Sequence, residues 1–305
     1  MPPIMNRRLR LPALCGVAGV LLAACATAWL SPHERGHPLV GRIVDARTGG
    51  AVTRDELERR AAAARWVLLG EAHDNADHHR LQAEVVSALL RAGRAPALAM
   101  EQFDREHQLA MDTARSRGEK DPDRIADAGK FDRKGWRWPD YRPLVAIAAT
   151  RGLPLLAANL SREDARALMK SGQPAPGLAP LAVEDNTLLE RDIVEGHCGV
   201  RPPQALLGGM VEAQRARDAQ MAVALLAAGP GGAALVAGAG HVRRDRGVPA
   251  YLPAEERSRT LVIAFLEVEA GVDAPAAGLG ALYDLVWYTP RADRTDPCKD
   301  LRLPG

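Results

Sequence analysis

The stretch Val67-Leu68-Leu69-Gly70-Glu71-Ala72-His73-Asp74-Asn75 is an apolar run that ends, after one glycine, in a carboxylate and an imidazole. Two other stretches repeat the pattern: Ala97-Leu98-Ala99-Met100 leads into Glu101, and Ala234-Leu235-Val236-Ala237 leads into Gly238-Ala239-Gly240-His241. Apolar runs this short read as strands buried in a parallel sheet. In open α/β sheets, ligands sit just beyond the carboxyl ends of the strands. The pattern therefore predicts that two carboxylates and two imidazoles converge on one pocket.

Working outward, Gly41–Asp45 reads as a short edge strand. Thr53–Arg65 has the Thr cap and acidic first turn of a helix. After the strand 66–70, a helix runs from about Asp77 to Arg91, with Leu81, Val85, Ala88 and Leu89 on one stripe and His78 one turn earlier. The strand 97–100 leads to a helix near Asp104–Arg117, and an aromatic loop from Lys130 to Tyr141 opens a helix ending near Arg151. Leu155–Ala158 is a further buried strand, after which Ser161 caps a short helix with Glu163 and Asp164 in its first turn. A Pro/Gly/Ala-rich loop from Gly172 to Pro180 precedes two longer helices, near Val183–Gly196 and Pro203–Ala228; strands follow at 234–237, 261–267 and 282–288. Strands alternating with helices imply an α/β fold, a mainly parallel sheet with helices on both faces.

The 305 residues are 47% hydrophobic and 26% charged, ordinary values for a globular chain, so disorder is excluded as its main character. Arg7, Arg8 and Arg10 precede an apolar run from Leu11 to Ala24 that ends Leu22-Ala23-Ala24-Cys25. A basic region, a short apolar region and small residues before a cysteine read as a lipoprotein signal. The alternatives are an uncleaved anchor, or a secretory signal with a chance cysteine; Pro12 and the shortness of the run count against a spanning helix, which needs about 20 apolar residues. The expectation is a signal peptide over 1–24, lipidated Cys25, a linker to residue 40 and one domain over 41–305. Ala26 after the cysteine points to the outer membrane, facing the periplasm.

Of the four cysteines, Cys15 leaves with the signal and Cys25 carries lipid, so Cys198 and Cys298 pair most simply as a disulfide in an oxidising compartment. Neither has a partner at short metal-ligand spacing. Removal of residues 1–24 takes three arginines and no acid, bringing the net charge from +2 to near −1. No basic stripe marks a nucleic-acid surface, which leaves a small molecule, a metal or a protein as partner.

Glu71 and His73 are two apart, so on an extended backbone they project to the same side, where they can bind a divalent metal or act as an acid–base pair. The alternative is a solvated turn with Asp74 or Asn75 capping the next helix. Glu101 is either buried and paired or placed in a pocket, because an unpaired buried charge is too costly. Asn159 holds the equivalent place after its own strand, as a pocket wall or a turn residue. Glycines before His241 let the backbone approach a ligand closely, but the third glycine of a dinucleotide fingerprint and the P-loop Lys-Ser/Thr are missing. Gly-x-Ser-x-Gly does not occur, which argues against acyl-enzyme chemistry.

On the 203–228 helix, Gln214 and Asp218 interrupt the apolar stripe of Leu207, Val211, Met221 and Leu225. A buried Asp218 either pairs with Arg215 or Arg217 or supports the pocket histidines. Trp136, Trp138 and Tyr141 crowd one segment, as a packed corner or as a clamp for a flat ring, and tyrosinate is a known axial ligand of haem iron.

Leu69-Gly-Glu-Ala-His-Asp-Asn75 with His78-His-Arg-Leu-Gln82, Met100-Glu-Gln-Phe103, Trp136–Tyr141, Ala158-Asn-Leu160, Gly196-His-Cys-Gly199, Gln214–Met221, and Gly238-Ala-Gly-His-Val242 with Gly247-Val-Pro249 resemble, in this order, the ChaN-like haem-binding lipoproteins of the Tiki superfamily. The resemblance covers most of the chain after about Val40. It implies a Tiki/erythromycin-esterase-like α/β fold, a lipid anchor, and haem binding by tyrosine across a homodimer in iron uptake. It also implies kinship with metal-dependent Tiki proteases and erythromycin esterases, whose sites use Glu and His at the positions of Glu71, His73, Glu101 and His241. Two functions fit. In the one adopted, haem is the cofactor, ligated by Tyr141 with Trp138, His78 and Asn159 as further contacts. In the alternative, Glu71, His73, Glu101 and His241 are catalytic and hold a divalent metal such as manganese or zinc for hydrolysis.

Overall fold

The computed structural model describes residues 28–294 and 298–299. The expected signal peptide and Cys25 lie outside these residues. Among the described residues no helix is long and apolar enough to cross a membrane.

Eight strands form one sheet: β1 (Ile43–Asp45), β2 (Ala51–Val52), β3 (Trp66–Glu71), β4 (Ala97–Asp104), β5 (Leu155–Asn159), β6 (Ala233–Gly238), β7 (Thr260–Glu267) and β8 (Leu285–Thr289). Their order is β2-β1-β8-β7-β3-β6-β4-β5. The six from β3 to β8 run parallel, whereas β1 pairs antiparallel with β8 and β2 antiparallel with β1. The sheet is thus mainly parallel, and β3 sits in the middle, buried along its whole length. That burial is why its sequence is continuously apolar rather than alternating.

Alternate residues of the strands serve two cores. Val67, Leu69, Leu98, Met100 and Val236 pack on one face with residues of helices α1 (Arg54–Ala63), α2 (Ala76–Arg91), α3 (Gln108–Ser116), α4 (Pro122–Ala128) and α5 (Trp138–Arg151). Trp66, Leu68, Ala99, Leu235 and Ala237 pack on the other, against Met221, Ala222 and Leu225 of α8 (Gln204–Leu226). Helices α6 (Arg162–Ser171), α7 (Val183–Gly196) and α9 (Ala254–Ser258) complete the element order. Helices therefore cover both faces, and truncating a fully buried side chain such as Leu68 would cost about 2–5 kcal/mol.

Five expectations are corrected. The strand at 43–45 is not an edge, because β2 covers its outer side. β4 continues through Glu101 to Asp104 with a register shift against β5, so the next helix starts at Gln108 after a single 3-10 turn. Helix α4 is additional, opened by Asp121, whose side chain accepts from Asp123 N, with Pro122 in its first turn. Trp138 and Tyr141 stand on α5 rather than in a loop. Finally, the stretch expected as linker is packed from residue 29 onward: the backbone N–H groups of Leu30 and Ser31 donate to the Asp77 carboxylate, Arg80 lies over the Trp29 ring and Leu39 is buried. Cys198 and Cys298 are disulfide-bonded, with Cα atoms 5.5 Å apart, fastening the C-terminal tail to the end of α7.

Candidate functional site

The parallel register brings the strand ends together. Glu71 on β3 is opposite Gly238 on β6, and Met100 on β4 is opposite Val236, so Glu71 and Glu101 flank the end of β6. His241 follows in a turn closed by its own N–H donating to Gly238 O, 2.9 Å. The four residues far apart in sequence thus meet at one rim. Gly238 is required there: a Cβ on it would stand 2.9 Å from His73 Cε1 and 3.0 Å from Nε2.

Two linked clusters make up the site. In the first, Glu71 is fully buried and saturated. Its Oε1 lies 3.0 Å from His73 Nδ1, accepts the Tyr141 hydroxyl at 2.5 Å, and receives Gln102 Nε2 at 3.3 Å. Its Oε2 accepts Gln82 Nε2 at 2.7 Å and faces His79 Nδ1 at 3.0 Å. In the second, Glu101 Oε2 accepts the backbone N–H of Gly238 at 2.8 Å while Oε1 lies 3.4 Å from His241 Nε2. His241 Nδ1 is 2.6 Å from Asp218 Oδ1, with Gln214 Nε2 at 3.0 Å. Of the two sequence options for Asp218, the structure realises the one toward the histidine.

These contacts move the titration of every titratable member of the two clusters. Both nitrogens of His241 face carboxylates, so although burial disfavours its cation, Glu101 and Asp218 raise its pKa to about 10. Burial pushes Asp218 up to about 6 against the pull of His241. For Glu101, burial is outweighed by His241 and the carboxyl falls to about 2; Glu71 lies well below the usual carboxylate range because His79 and His73 likewise outweigh its burial. His79 faces Glu71 through Nδ1 and the carbonyl of His73 through Nε2, and its pKa is raised despite burial. His73 is raised too, by Glu71 and Glu101 against desolvation. Each buried carboxylate of the rim thus faces at least one imidazole, and pairing of this kind is the condition under which buried charge is tolerated.

The structure gives the cofactor contacts expected from the sequence the following surroundings. Tyr141 is fully buried, and both burial and the neighbouring Glu71 carboxylate push its pKa far upward, so its phenol is a hydrogen-bond donor to Glu71 rather than a tyrosinate facing the cavity. Trp138 is buried, stacks on Phe131 and donates its indole N–H to Asp123. His78 is fully buried behind the rim, where Nδ1 accepts the Ala72 N–H at 2.8 Å and Nε2 lies 2.8 Å from Thr289 Oγ1; burial drops its pKa to about 3. Asn159 stays at the sheet end but its Oδ1 accepts from Arg217. Trp136, half-buried, is the aromatic that reaches the site, edge-on to His73 with ring centroids 4.8 Å apart.

For the expected divalent-metal set, no group of three or more His, Cys, Asp or Glu side chains is arranged to hold a metal ion among the described residues, and the oxygens of Glu71 and Glu101 and both nitrogens of His241 have protein partners. The exception is His73 Nε2: the side chain is 43% exposed, and only Nδ1 is spent, on Glu71. An imidazole whose inner nitrogen is fixed by a carboxylate is oriented and made more basic at the outer one, the usual support of a metal-ligating histidine. Gln102, which donates to Glu71, keeps its Oε1 buried without a partner. The donor set therefore fits an iron with a single open imidazole better than a caged divalent ion.

Sequence reasoning missed His79, Gln82 and Gln102. The first two lie three apart on α2, on one face with Glu71, and that spacing was the available signal.

Over residues 57–252 the chain matches the family described as Haem-binding uptake, Tiki superfamily, ChaN. No curated protein matches it. ChaN of Campylobacter jejuni, solved for its cofacial haem binding, has 23% identity and a TM-score of 0.66, covering 80% of this chain and 95% of that one. A mutant of the erythromycin esterase EreC in its open conformation has 12% identity and a TM-score of 0.47 over 84% of this chain and 99% of that one. The type III effector HopBA1 has 17% identity and a TM-score of 0.46 over 87% and 99%. The family match spans more than half of the chain, and the likeness to the Campylobacter protein is one of fold. The chain belongs to the ChaN family of haem-binding uptake proteins in the Tiki superfamily.

Proposed function

We propose that this chain is a lipid-anchored haem-binding protein of haem or iron uptake, held at the outer membrane through Cys25 and facing the periplasm, and that it takes haem at the sheet-end rim with His73 Nε2 toward the iron. The carrying observation is that open nitrogen, backed by Glu71 at 3.0 Å and flanked by the Trp136 ring. Haem iron would supply a Lewis acid that takes the place of the proton on His73 Nε2, the proton leaving to solvent; the protein supplies the orientation of that nitrogen. Glu71 receives N–H and O–H donors from four other side chains or faces them, so its position, and with it the aim of His73, is overdetermined. By kinship with the Campylobacter protein, whose haem binding is cofacial, two copies of this chain are proposed to bring their haems face to face.

The test is an absorption titration of the purified protein with haemin, on wild type, His73→Ala and Tyr141→Phe, each checked for folding by circular dichroism. The expected result is a Soret band in wild type and Tyr141→Phe that is lost or shifted in His73→Ala. A band unaffected by His73→Ala and abolished in folded Tyr141→Phe would return the ligand to the tyrosine; no band in wild type would remove haem carriage. Light scattering with and without haemin reads the dimer, and release of Cys25→Ser protein from the membrane fraction reads the anchor.

A further inference from the structure

At the opposite end of the sheet, a cavity of about 760 Å³ opens among the residues that precede four parallel strands. Arg65 precedes β3, Gly93 and Arg94 precede β4, Gly231 precedes β6, and Arg259 precedes β7; with Arg60 of α1, four guanidinium groups line it and no acidic residue does. The carboxylates that reach these arginines from neighbouring elements are few. Arg60 is held by Glu56 and Asp45. Glu256 is shared, 2.8 Å from Arg65 Nη1 and 3.7 Å from Arg259 Nη1, while its other oxygen accepts the Trp66 indole N–H.

Arg94 has no carboxylate within ion-pair distance among the described residues. Its guanidinium donates only to backbone carbonyls, those of Ala61, Ala62 and Ala64 at the end of α1 and those of Arg65 and Gly231. Carbonyl oxygens satisfy its hydrogens without neutralising its charge, and burial accordingly presses its pKa down. Arg65 Nε is also buried without a partner. The cavity thus concentrates about two positive charges that no carboxylate pairs, those of Arg94 and of one of Arg65 and Arg259, at a place with room for a ligand. Planar guanidinium donors match phosphate oxygens.

We propose that this cavity binds a phosphate-bearing anion through the side chains of Arg65 and Arg259, with the unneutralised charge of Arg94 behind them, at a site separate from the imidazole rim. The sources are a soluble phosphate and the phosphodiester headgroup of an anionic lipid, which share the chemistry the arginines recognise. The volume accommodates a substituent beyond the phosphate itself. Because Arg94 also ties down the end of α1, its removal threatens folding; Arg259 is 48% exposed on its side chain and pairs only at 3.7 Å, so it can be changed safely.

Calorimetric titration of the full protein with inorganic pyrophosphate, and separately with a short-chain phosphatidylglycerol below its micelle concentration, tests this. Saturable binding of at least one probe is expected, weakening with added salt and falling about tenfold or more in Arg259→Gln, roughly the worth of one charge-assisted contact. Pyrophosphate alone binding assigns a soluble phosphate; the lipid alone binding assigns a headgroup. Absence of saturable binding to either, or affinity unchanged in both Arg259→Gln and Arg65→Gln, overturns the proposal.

Discussion

Raising the pH should destabilise this protein, and His241 should carry much of the effect. Its pKa stands at about 10 in the folded chain against 6.5 for an ordinary histidine, because Glu101 and Asp218 hold the cation in place. A base whose folded pKa is raised contributes stability that is complete below pH 6.5 and is lost as pH climbs toward 10. Across that window the folded state binds one more proton at this site than the unfolded state. The expected slope is about 1.4 kcal/mol per pH unit, or roughly 2–3 kcal/mol between pH 7 and pH 9. Asp218, at about 6, has largely finished titrating by then, and Glu101, at about 2, does not interfere. His79 and His73 add in the same direction. Urea unfolding followed by tryptophan fluorescence at pH 7, 8 and 9 measures the loss in wild type and in His241→Asn. The variant starts less stable, since it leaves two buried carboxylates without their cation, but its decline should be shallower by about the His241 share. Equal slopes, or a His241 ring resonance titrating near neutrality, would refute the doubly protonated histidine.

Other outcomes follow from the same contacts. Gly238→Ala should cost about 1–3 kcal/mol of unfolding free energy, because its Cβ pushes the His73 ring off its contact with buried Glu71, and haemin affinity should drop as the ring leaves the rim; an unchanged Soret titration contradicts this. Breaking the Cys198–Cys298 bridge by Cys298→Ser opens a loop of 100 residues and should cost about 2–5 kcal/mol, seen as a lower thermal midpoint in the variant than in the oxidised parent. Tyr141→Phe removes one of the donors to buried Glu71 and should cost about 1–3 kcal/mol in chemical denaturation. Asp77→Ala should free residues 30 and 31 from the start of α2, detectable as faster proteolysis near residue 30.

The sheet was legible because a strand buried on both faces must be apolar throughout, and β3, β6 and β7 obey that. β4 was cut short at Met100 for a related reason: Glu101 and Gln102 break the apolar pattern although the backbone stays extended, since their side chains are buried by other polar groups rather than by hydrocarbon. Two-residue β2 carries no periodicity at all, and the place of β1 inside the sheet depends on β8, more than two hundred residues later. The choice of His78 over His79 shows where pattern reading ends. At the start of α2, His78, His79 and Gln82 are all buried, so the hydrophobic stripe alone does not choose between the two histidines; adjacent helical residues point about 100° apart, and here one meets Thr289 while the other meets Glu71.

The same crowding bears on the cluster that reads as a metal cage in sequence. A carboxylate can serve as a ligand only with an oxygen to spare, and in this rim the oxygens of Glu71 and Glu101 are occupied by Tyr141, Gln82, the Gly238 amide and three histidines. The attraction between these acids and the imidazoles they face, with the hydrogen bonds that join them, holds the arrangement. What rigidity leaves open is one nitrogen, His73 Nε2, whose aim is fixed from behind by Glu71 and from the side by Trp136. Buried charge in this protein acts on function by orientation, setting where a single exposed imidazole points, and removing any member of the network should be read first in the behaviour of that ring.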